Sequence, residues 1–191
     1  MRLFLRTALN LLAPAGNRGK LTILIYHRVL PQPDPIFPEE VDAATFDMQL
    51  GVLAAEFNVM SLADAIAGLR QGNLPPRAVA ITFDDGYADN AEIALPILRR
   101  HGLNATFFIS TGFLDGGCMW NDKLVEAVRA YPGARCELSA LGLGTLDISS
   151  PPSRRAAIKS LIHALKYLPQ AERDTRVDEV CAALQAVQPT I

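Results

Sequence analysis

Two adjacent carboxylates, Asp84 and Asp85, are the residues of this chain best placed to do chemistry. They directly follow the short apolar run 78–81 and are themselves followed by Gly86. A run of this kind is typical of a buried strand, so the two carboxylates are expected at the rim of a core. Neighbouring negative charges at such a rim destabilise a fold unless a cation or a bound substrate compensates them. The pattern leaves two interpretations open, a solvated Asp-Gly turn and a metal and proton-transfer site.

The order of apolar strand patterns and helical patterns along the chain predicts a parallel sheet or barrel. Strands are expected at residues 21–26, at 105–109 and directly before Asp84. In parallel α/β folds the chemistry sits where the strands reach their C-terminal ends. His27 follows the first of these strands. It is therefore expected on the same face of the sheet as Asp84 and Asp85.

Three segments of the sequence carry a family resemblance. Residues 82–87 (TFDDGY), with residues 105–109 (ATFFI) further along, resemble the start of a polysaccharide deacetylase of the NodB-homology type. Residues 25–29 (IYHRV) resemble the first strand end of bacterial members, including those that act on poly-N-acetylglucosamine. The resemblance extends from about Leu21 to the mid-180s. It implies an α/β fold, namely the N-terminal portion of a deformed (β/α) barrel with a helical insertion.

The resemblance also implies catalytic roles for three residues. Asp84 would be the general base, and Asp85 would be one ligand of a divalent metal, with zinc as the expected ion. His27 would take the place of a catalytic histidine that other members carry near the C-terminus, which makes it a candidate general acid. The alternative for His27 is a hydrogen-bonded loop histidine, and the residues alone leave both interpretations open.

Three further residues are candidates for binding substrate. Tyr87 belongs to the motif itself, and Trp120, the only tryptophan, follows a glycine-rich loop. Aromatic rings pack well against the C–H faces of sugars. Arg28 is a candidate to contact substrate or to pair with Asp84. The alternatives are a tryptophan that covers the helix beneath it and an arginine at the surface.

The metal site that the resemblance implies is incomplete in this sequence. The family supplies two further ligands from a downstream His-x-x-x-His motif, and the three histidines here, His27, His101 and His163, do not form one. The expectation is the N-terminal part of a longer deacetylase or a truncated relative. Two functions follow: a metal-dependent hydrolase that removes acetyl groups from N-acetylated sugars in exopolysaccharide or cell-surface glycan metabolism, and a non-catalytic fragment that binds glycan. A haloacid-dehalogenase-like phosphatase is excluded, because it needs Asp-x-Asp after its strand.

Composition limits the remaining classes. The chain has 191 residues, half of them apolar, with a net charge of -2, which is enough apolar content for a core. The near-neutral balance gives no basic footprint for nucleic acid. Three cysteines without a CxxC pair suggest neither a zinc knuckle nor a disulfide framework. No apolar stretch reaches the length of a transmembrane span. The expected partner is an acetylated polysaccharide or oligosaccharide, and the oligomeric state is left open.

The domain prediction separates residues 1–20 from residues 21–191. Residues 1–15 weakly resemble a signal peptide, because two arginines precede an apolar stretch that ends in Ala-Pro-Ala. The leucine spacing equally fits a short helix that lies on the domain or on a membrane surface, so both a cytoplasmic and a cell-envelope location are open. Residues 21–191 are predicted as an incomplete deacetylase domain, in which residues 153–187 form a helical pair.

Overall fold

A computed structural model describes residues 2–184, with side chains from Thr7 onward. The described chain forms two compact units, the first from residues 2–34 and 38–111 and the second from residues 35–37 and 112–184. Helices and strands of the first unit are α1 (Arg2–Leu12), β1 (Leu21–Tyr26), α2 (Ala43–Glu56), β2 (Asn58–Val59), α3 (Leu62–Gln71), β3 (Ala78–Phe83), α4 (Leu95–Arg100) and β4 (Thr106–Phe107). None of the described helices combines the length and the apolar character needed to cross a bilayer.

A parallel sheet organises the first unit. β1 pairs with β3 along its whole length, with Tyr26 beside Phe83, while β2 pairs with the start of β3 and β4 with its end. Every residue of β3 is buried, which explains why its sequence is a continuous apolar run without alternation. The predicted strands at 21–26 and before Asp84 are confirmed, and so is the α/β class with a parallel sheet.

An aromatic cluster holds β1, β3, β4 and α2 together. The Phe83 side chain is 1% exposed. Its ring centroid lies 5.3 Å from that of Tyr26, 5.8 Å from that of Phe46 and 4.9 Å from that of Phe107. Stacked and edge-on pairs at these separations add to the free energy gained by burial. This cluster lies directly below the point at which β3 ends and Asp84 begins.

The sequence predicts a helix that Asp89 or Asn90 caps and that reaches His101, with Pro96 expected to kink it or to move its true start later. The altered start is confirmed, and the cap by Asp89 is not. The segment begins with a wide turn of π-helix at Asn90–Ala94, and the α-helix α4 follows it at Leu95–Arg100. Pro96 cannot donate a backbone hydrogen bond, which breaks the regular ladder of an α-helix at this point. Asp89 does not cap the helix, because its side chain is engaged elsewhere. The sequence also predicts that Ser61 begins α3 and that Gly72 ends it, and both are confirmed. Ser61 accepts a bond from the Asp64 backbone, and Gly72 ends α3 with a φ of 66°.

The second unit contains α5 (Trp120–Ala130), β5 (Arg135–Glu137), β6 (Thr145–Asp147), α6 (Pro151–Leu165) and α7 (Gln170–Ala183). The glycines and partial alternation of residues 136–148 favour a hairpin, and β5 and β6 do pair antiparallel. The sequence pattern predicts Asn121 and Ser153 as helix caps, but Met119 precedes α5 and Ser150 caps α6. Pro151 and Pro152 fit inside α6, because the first helical positions need no donor. The predicted extension of α7 to Val187 lies outside the described residues.

Replacing Phe83 with alanine should lower the free energy of unfolding by about 3–5 kcal/mol, because it removes a buried ring that three aromatic neighbours surround. Urea denaturation followed by circular dichroism measures this change. Met48, which is 65% exposed, provides the control, and Met48→Ala should change stability by no more than about 0.5 kcal/mol. Equal effects of the two substitutions would contradict the proposed core.

Candidate active site

The candidate site begins where β1 and β3 end side by side. The Asp84 backbone N–H donates to the Tyr26 carbonyl oxygen at 2.9 Å, so the pairing of the two strands continues past β3. His27, the residue that follows β1, therefore lies beside Asp84, the residue that follows β3, at the same end of the sheet. His27 is exposed, and Asp84 and Asp85 are half-buried. The structure thus brings together the three residues that the sequence predicted on one face.

A tight turn presents the two carboxylates. The Gly86 N–H donates to the Asp84 carbonyl oxygen at 3.0 Å, which closes a three-residue turn with Asp85 at its centre. Asp85 has a φ of 73°, a left-handed conformation that residues other than glycine rarely adopt. The Ser110 N–H, which follows β4, donates to the Asp85 carbonyl oxygen at 3.2 Å and holds the turn. Backbone strain of this kind concentrates at functional sites, where the surroundings enforce it.

Position 86 requires glycine for two reasons, the positive φ angle of its backbone and the lack of space for a Cβ atom. Its φ is 77°, and a Cβ atom added to it would approach two side-chain atoms of Ile109 to 3.0 Å. The Ile109 Cα atom would be 3.4 Å away, so the contact involves backbone as well as a flexible side chain. The glycine of the motif therefore permits the turn to pack against the residues that follow β4.

Asp89 is a buried carboxylate that fixes the segment after β1. Its Oδ2 atom accepts from the Arg28 Nε at 2.8 Å, and its Oδ1 atom accepts from the Val29 backbone N–H at 3.3 Å and from the Asn90 Nδ2 at 3.1 Å. The Asp89 side chain is 8% exposed. A carboxylate with so little access to water is stable only when charge and donors satisfy it, as they do here.

Asn90 ties the same segment down from the other side. Its Nδ2 donates to the His27 carbonyl oxygen at 2.9 Å. Its Oδ1 is buried without a hydrogen-bond partner among the described residues, which costs about 1–3 kcal/mol. The Asn90 side chain therefore fixes the backbone position of His27, although its unpaired oxygen lowers the stability of the fold. Asp89 and Asn90 together form what we call the Asp89–Asn90 bracket.

The bracket is what sequence reasoning missed. The sequence pattern presents Asp89 and Asn90 only as alternative helix caps, because polar residues before a helical pattern commonly cap it. Their position a few residues after the Asp84–Asp85 turn is the available signal. Arg28 pairs with Asp89, and its guanidinium carbon also lies 4.6 Å from the centre of the Tyr87 ring. Arg28 and Tyr87 therefore belong to the same cluster as the bracket.

The described residues do not complete a metal site. Within residues 2–184, no three side chains of His, Cys, Asp or Glu converge in a way that could hold a metal ion. Asp85, the ligand implied by the resemblance, is thus without the further donors that a catalytic zinc site uses, which are usually three.

Trp120 lies in the second unit. It is the first residue of α5, and the Arg173 guanidinium carbon lies 5.0 Å from the centre of its ring. The ring is partly buried against the apolar core of that unit. This packing is the structural role that the sequence left open for Trp120, and its role in substrate binding stays a prediction.

Part of this chain, including the candidate site, is similar in sequence to known proteins. The sequence model of the polysaccharide deacetylase family, described as "Polysaccharide deacetylase", matches residues 71–137, which include Asp84, Asp85 and Tyr87. A protein of Bacillus subtilis (strain 168) that bears the name "Putative polysaccharide deacetylase YxkH" is 33% identical over 93 residues, which are 48% of this chain and 32% of that protein. The resemblance seen in the sequence is thereby confirmed for about half of the chain.

Solved structures of deacetylases are also similar to parts of the chain. A de-N-acetylase from Aggregatibacter actinomycetemcomitans is 28% identical, with a TM-score of 0.43 and coverage of 51% of this chain and 40% of that one. The deacetylase PplD from Streptococcus pyogenes is 26% identical, with a TM-score of 0.46 and coverage of 55% and 50%. The chain therefore spans half or less of the length of these relatives.

Gly86→Ala should destabilise the protein more than Gly102→Ala, although both glycines have positive φ angles, 77° and 63°. A Cβ atom at position 102 would meet no other atom within 4 Å, so Gly102→Ala carries only the conformational cost of about 1–2 kcal/mol. Gly86→Ala adds a steric clash, worth about 1–3 kcal/mol more. Chemical denaturation of both variants gives the difference, and equal midpoints would show that the turn is not packed as described.

Asp89→Asn should alter the environment of His27, because the bracket loses the charge that holds Arg28. The chain has only three histidines, so imidazole signals in a ¹H–¹³C NMR spectrum report on each separately. We expect the His27 signal to shift or broaden while those of His101 and His163 stay in place.

Asp47→Asn is the matched control for this measurement. Asp47 accepts from His101 Nε2 at 2.7 Å and pairs with Arg100, and the hydrogen bond from His101 lowers the pKa of that carboxyl. This variant should move the His101 signal and leave His27 unchanged. A His27 signal that is indifferent to Asp89→Asn would show that the bracket does not position this residue.

Proposed function

We propose that this chain carries the general base and general acid of a hydrolase that removes acetyl groups from N-acetylated sugars of a polysaccharide. The observation that carries the proposal is the pairing of β1 with β3, which sets His27 beside Asp84 at the end of the sheet. The family match over residues 71–137 supports the reaction class. Bacterial exopolysaccharide or cell-surface glycan is the proposed substrate.

In this proposal the two residues move protons at opposite ends of the scissile amide. The Asp84 carboxylate takes a proton from the water that attacks the acetyl carbonyl carbon. The C–N bond then breaks, and His27 in its protonated form gives a proton to the departing amine. The acid proton of the new acetic acid passes to the amine, so the products are acetate and the ammonium form of the amino sugar. Loss of the proton from Asp84 to water and uptake of one by His27 restore both residues. Because Asp84 and His27 follow adjacent strands, their side chains can reach the two sides of one acetamido group without movement of the backbone.

The family resemblance implies a divalent metal, with zinc the expected ion and Asp85 one of its ligands. When bound, such a metal polarises the carbonyl and activates water. Because the described residues lack a converging set of three ligands, we assign no step of the reaction to a metal here. The role proposed for Asp85 is that of one ligand for such a metal, presented from the strained turn. Tyr87 and Arg28 are proposed to contact the sugar. Trp120, in the second unit, is proposed separately as a sugar-binding residue.

A non-catalytic glycan-binding role is the second candidate. The observation that favours it is the same lack of a three-ligand cluster among residues 2–184. Under this alternative the exposed aromatic and polar groups near the strand ends would bind acetylated oligosaccharide without turning it over. Titration of N-acetylglucosamine oligomers by NMR, with acetate measured in the same tube, separates binding from catalysis.

Asp84→Asn should abolish acetate release from N-acetylglucosamine oligomers, because an amide cannot accept the proton of the attacking water. The assay uses a form of the chain extended at its C-terminus to include a His-x-x-x-His pair, and the expected loss is about a hundredfold or more. Asp85→Asn provides the comparison. It should also slow the reaction, but added metal should partly restore it, since the lost group is a ligand rather than a base.

If added metal restores Asp84→Asn as well, the two roles are assigned wrongly. If the extended form is inert on every acetylated glycan tested, the binding role becomes the better account.

The 191-residue chain by itself should bind zinc weakly. A single carboxylate with at most one imidazole gives fewer than the usual three protein ligands of a catalytic zinc site. Isothermal titration calorimetry of the chain, with Asp85→Asn as the paired variant, measures this. Tight binding of one zinc ion per chain that disappears in Asp85→Asn would contradict our description of the ligand set.

A further inference from the structure

We infer that α1 and the adjoining basic loops attach the first unit to the surface of an anionic lipid bilayer, with the candidate active site directed away from it. This inference does not depend on the proposed deacetylase activity.

The apolar side of α1 is exposed, and its polar edge contacts the protein. Asn10 accepts a hydrogen bond from the Arg77 guanidinium, and Leu9 is half-buried. By contrast, Leu11 is 80% exposed and Leu12 is 67% exposed, and Ala8 is exposed as well. A helix that lies on its own domain normally buries its apolar stripe. Here the stripe faces away from the unit.

The apolar stripe continues toward the start of the helix in the sequence. Phe4 stands four residues before Ala8 and seven before Leu11, and Leu5 stands seven residues before Leu12. These are the intervals that recur on one side of an α-helix. The polar residues Arg2, Arg6 and Asn10 recur at intervals of four. This arrangement, apolar on one side and basic on the other, is typical of helices that lie in the interface of a membrane.

Charge around α1 indicates what kind of surface would cover it. Two loop segments adjoin the end of α1 and are bonded to each other, namely 13–20, which lead into β1, and 70–77, which lead into β3. Together with α1 these segments contain the basic residues Arg2, Arg6, Arg18, Lys20, Arg70 and Arg77 and no acidic residue. Arg18, Lys20 and Arg70 are exposed. The complementary surface is therefore negatively charged and apolar beneath, which describes a bilayer with anionic headgroups.

The attachment of α1 sets the orientation. The Arg77 N–H donates to the Ala13 carbonyl oxygen at 2.9 Å, and the Gly16 N–H donates to the Leu74 carbonyl oxygen at 2.8 Å. The end of α1 is thus fixed at the point where β3 begins, whereas Asp84 follows the point where β3 ends. Six residues of strand separate the two points by about 20 Å. A bilayer bound to α1 would leave the strand ends open to the aqueous side.

Vesicle sedimentation tests the inference with the 191-residue chain. Vesicles of phosphatidylcholine alone are compared with vesicles of equal parts phosphatidylcholine and phosphatidylglycerol. We expect stronger binding to the anionic vesicles and a fall in that binding as salt is raised. The double variant Leu11→Asp with Leu12→Asp should lower the partition coefficient about tenfold or more, since two leucines no longer enter the bilayer. Met48→Asp, at a comparably exposed apolar residue of α2, should bind as the wild type does.

A second variant keeps the test decisive if the leucine substitutions disturb folding. Arg18→Gln with Lys20→Gln should remove most of the preference for anionic vesicles and most of the salt dependence. Wild-type binding by both double variants would overturn the inference. Self-association of the chain that disappears in the leucine variant, without vesicle binding, would also overturn it, because a second copy would then cover the stripe.

Orientation is tested by quenching with brominated lipid in a Trp120→Phe background. Leu12→Trp should be quenched and Tyr87→Trp should not. Equal quenching at the two positions would contradict the orientation.

Discussion

The parallel pairing of β1 with β3 is the constraint on which the candidate site depends. Because Tyr26 stands beside Phe83 in register, the residue after each strand is carried to the same edge of the sheet. The bond from the Asp84 N–H to the Tyr26 carbonyl oxygen extends that pairing by one residue into the site. A shift of register by one residue would turn the side chains of β1 to the opposite faces and separate His27 from Asp84. The aromatic cluster around Phe83 prevents such a shift, since its ring fits between three neighbours.

Two further restraints convert strand ends into a defined site. The turn at Asp85 has a strained backbone, and its conformation is held by the bonds from Gly86 and Ser110 rather than by its own preference. The bracket of Asp89 and Asn90 restrains the opposite segment through the backbone of His27 and Val29 and through the side chain of Arg28. Gly86, Asp89 and Asn90 belong to the motif or follow it within a few positions, and Ser110 follows β4. The site is therefore built almost wholly from the ends of β1, β3 and β4 in the first unit.

Much of this arrangement could be predicted from the sequence, because strands and sharp stops have strong local signals. The run 78–81 reads as a strand through its continuous apolar character, and Gly72 ends a helix through its freedom to adopt positive φ. What could not be predicted depends on contacts between distant segments. Asp89 resembles a helix cap until Arg28, sixty-one positions earlier, is seen to pair with it. The exposed stripe of α1 is likewise invisible in a helical pattern, because periodicity does not say which side of a helix faces the protein.

A double-mutant cycle on acetate release tests most directly whether His27 and Asp84 form one catalytic unit. The cycle compares His27→Gln, Asp84→Asn and the two together in the form extended to include a His-x-x-x-His pair. If the two residues move protons in the same reaction, each single loss removes most of the rate, and the double variant is little worse than the more damaged single variant. Losses that multiply, so that the double variant falls by the product of the two single effects, would show that the residues act independently and would contradict the account.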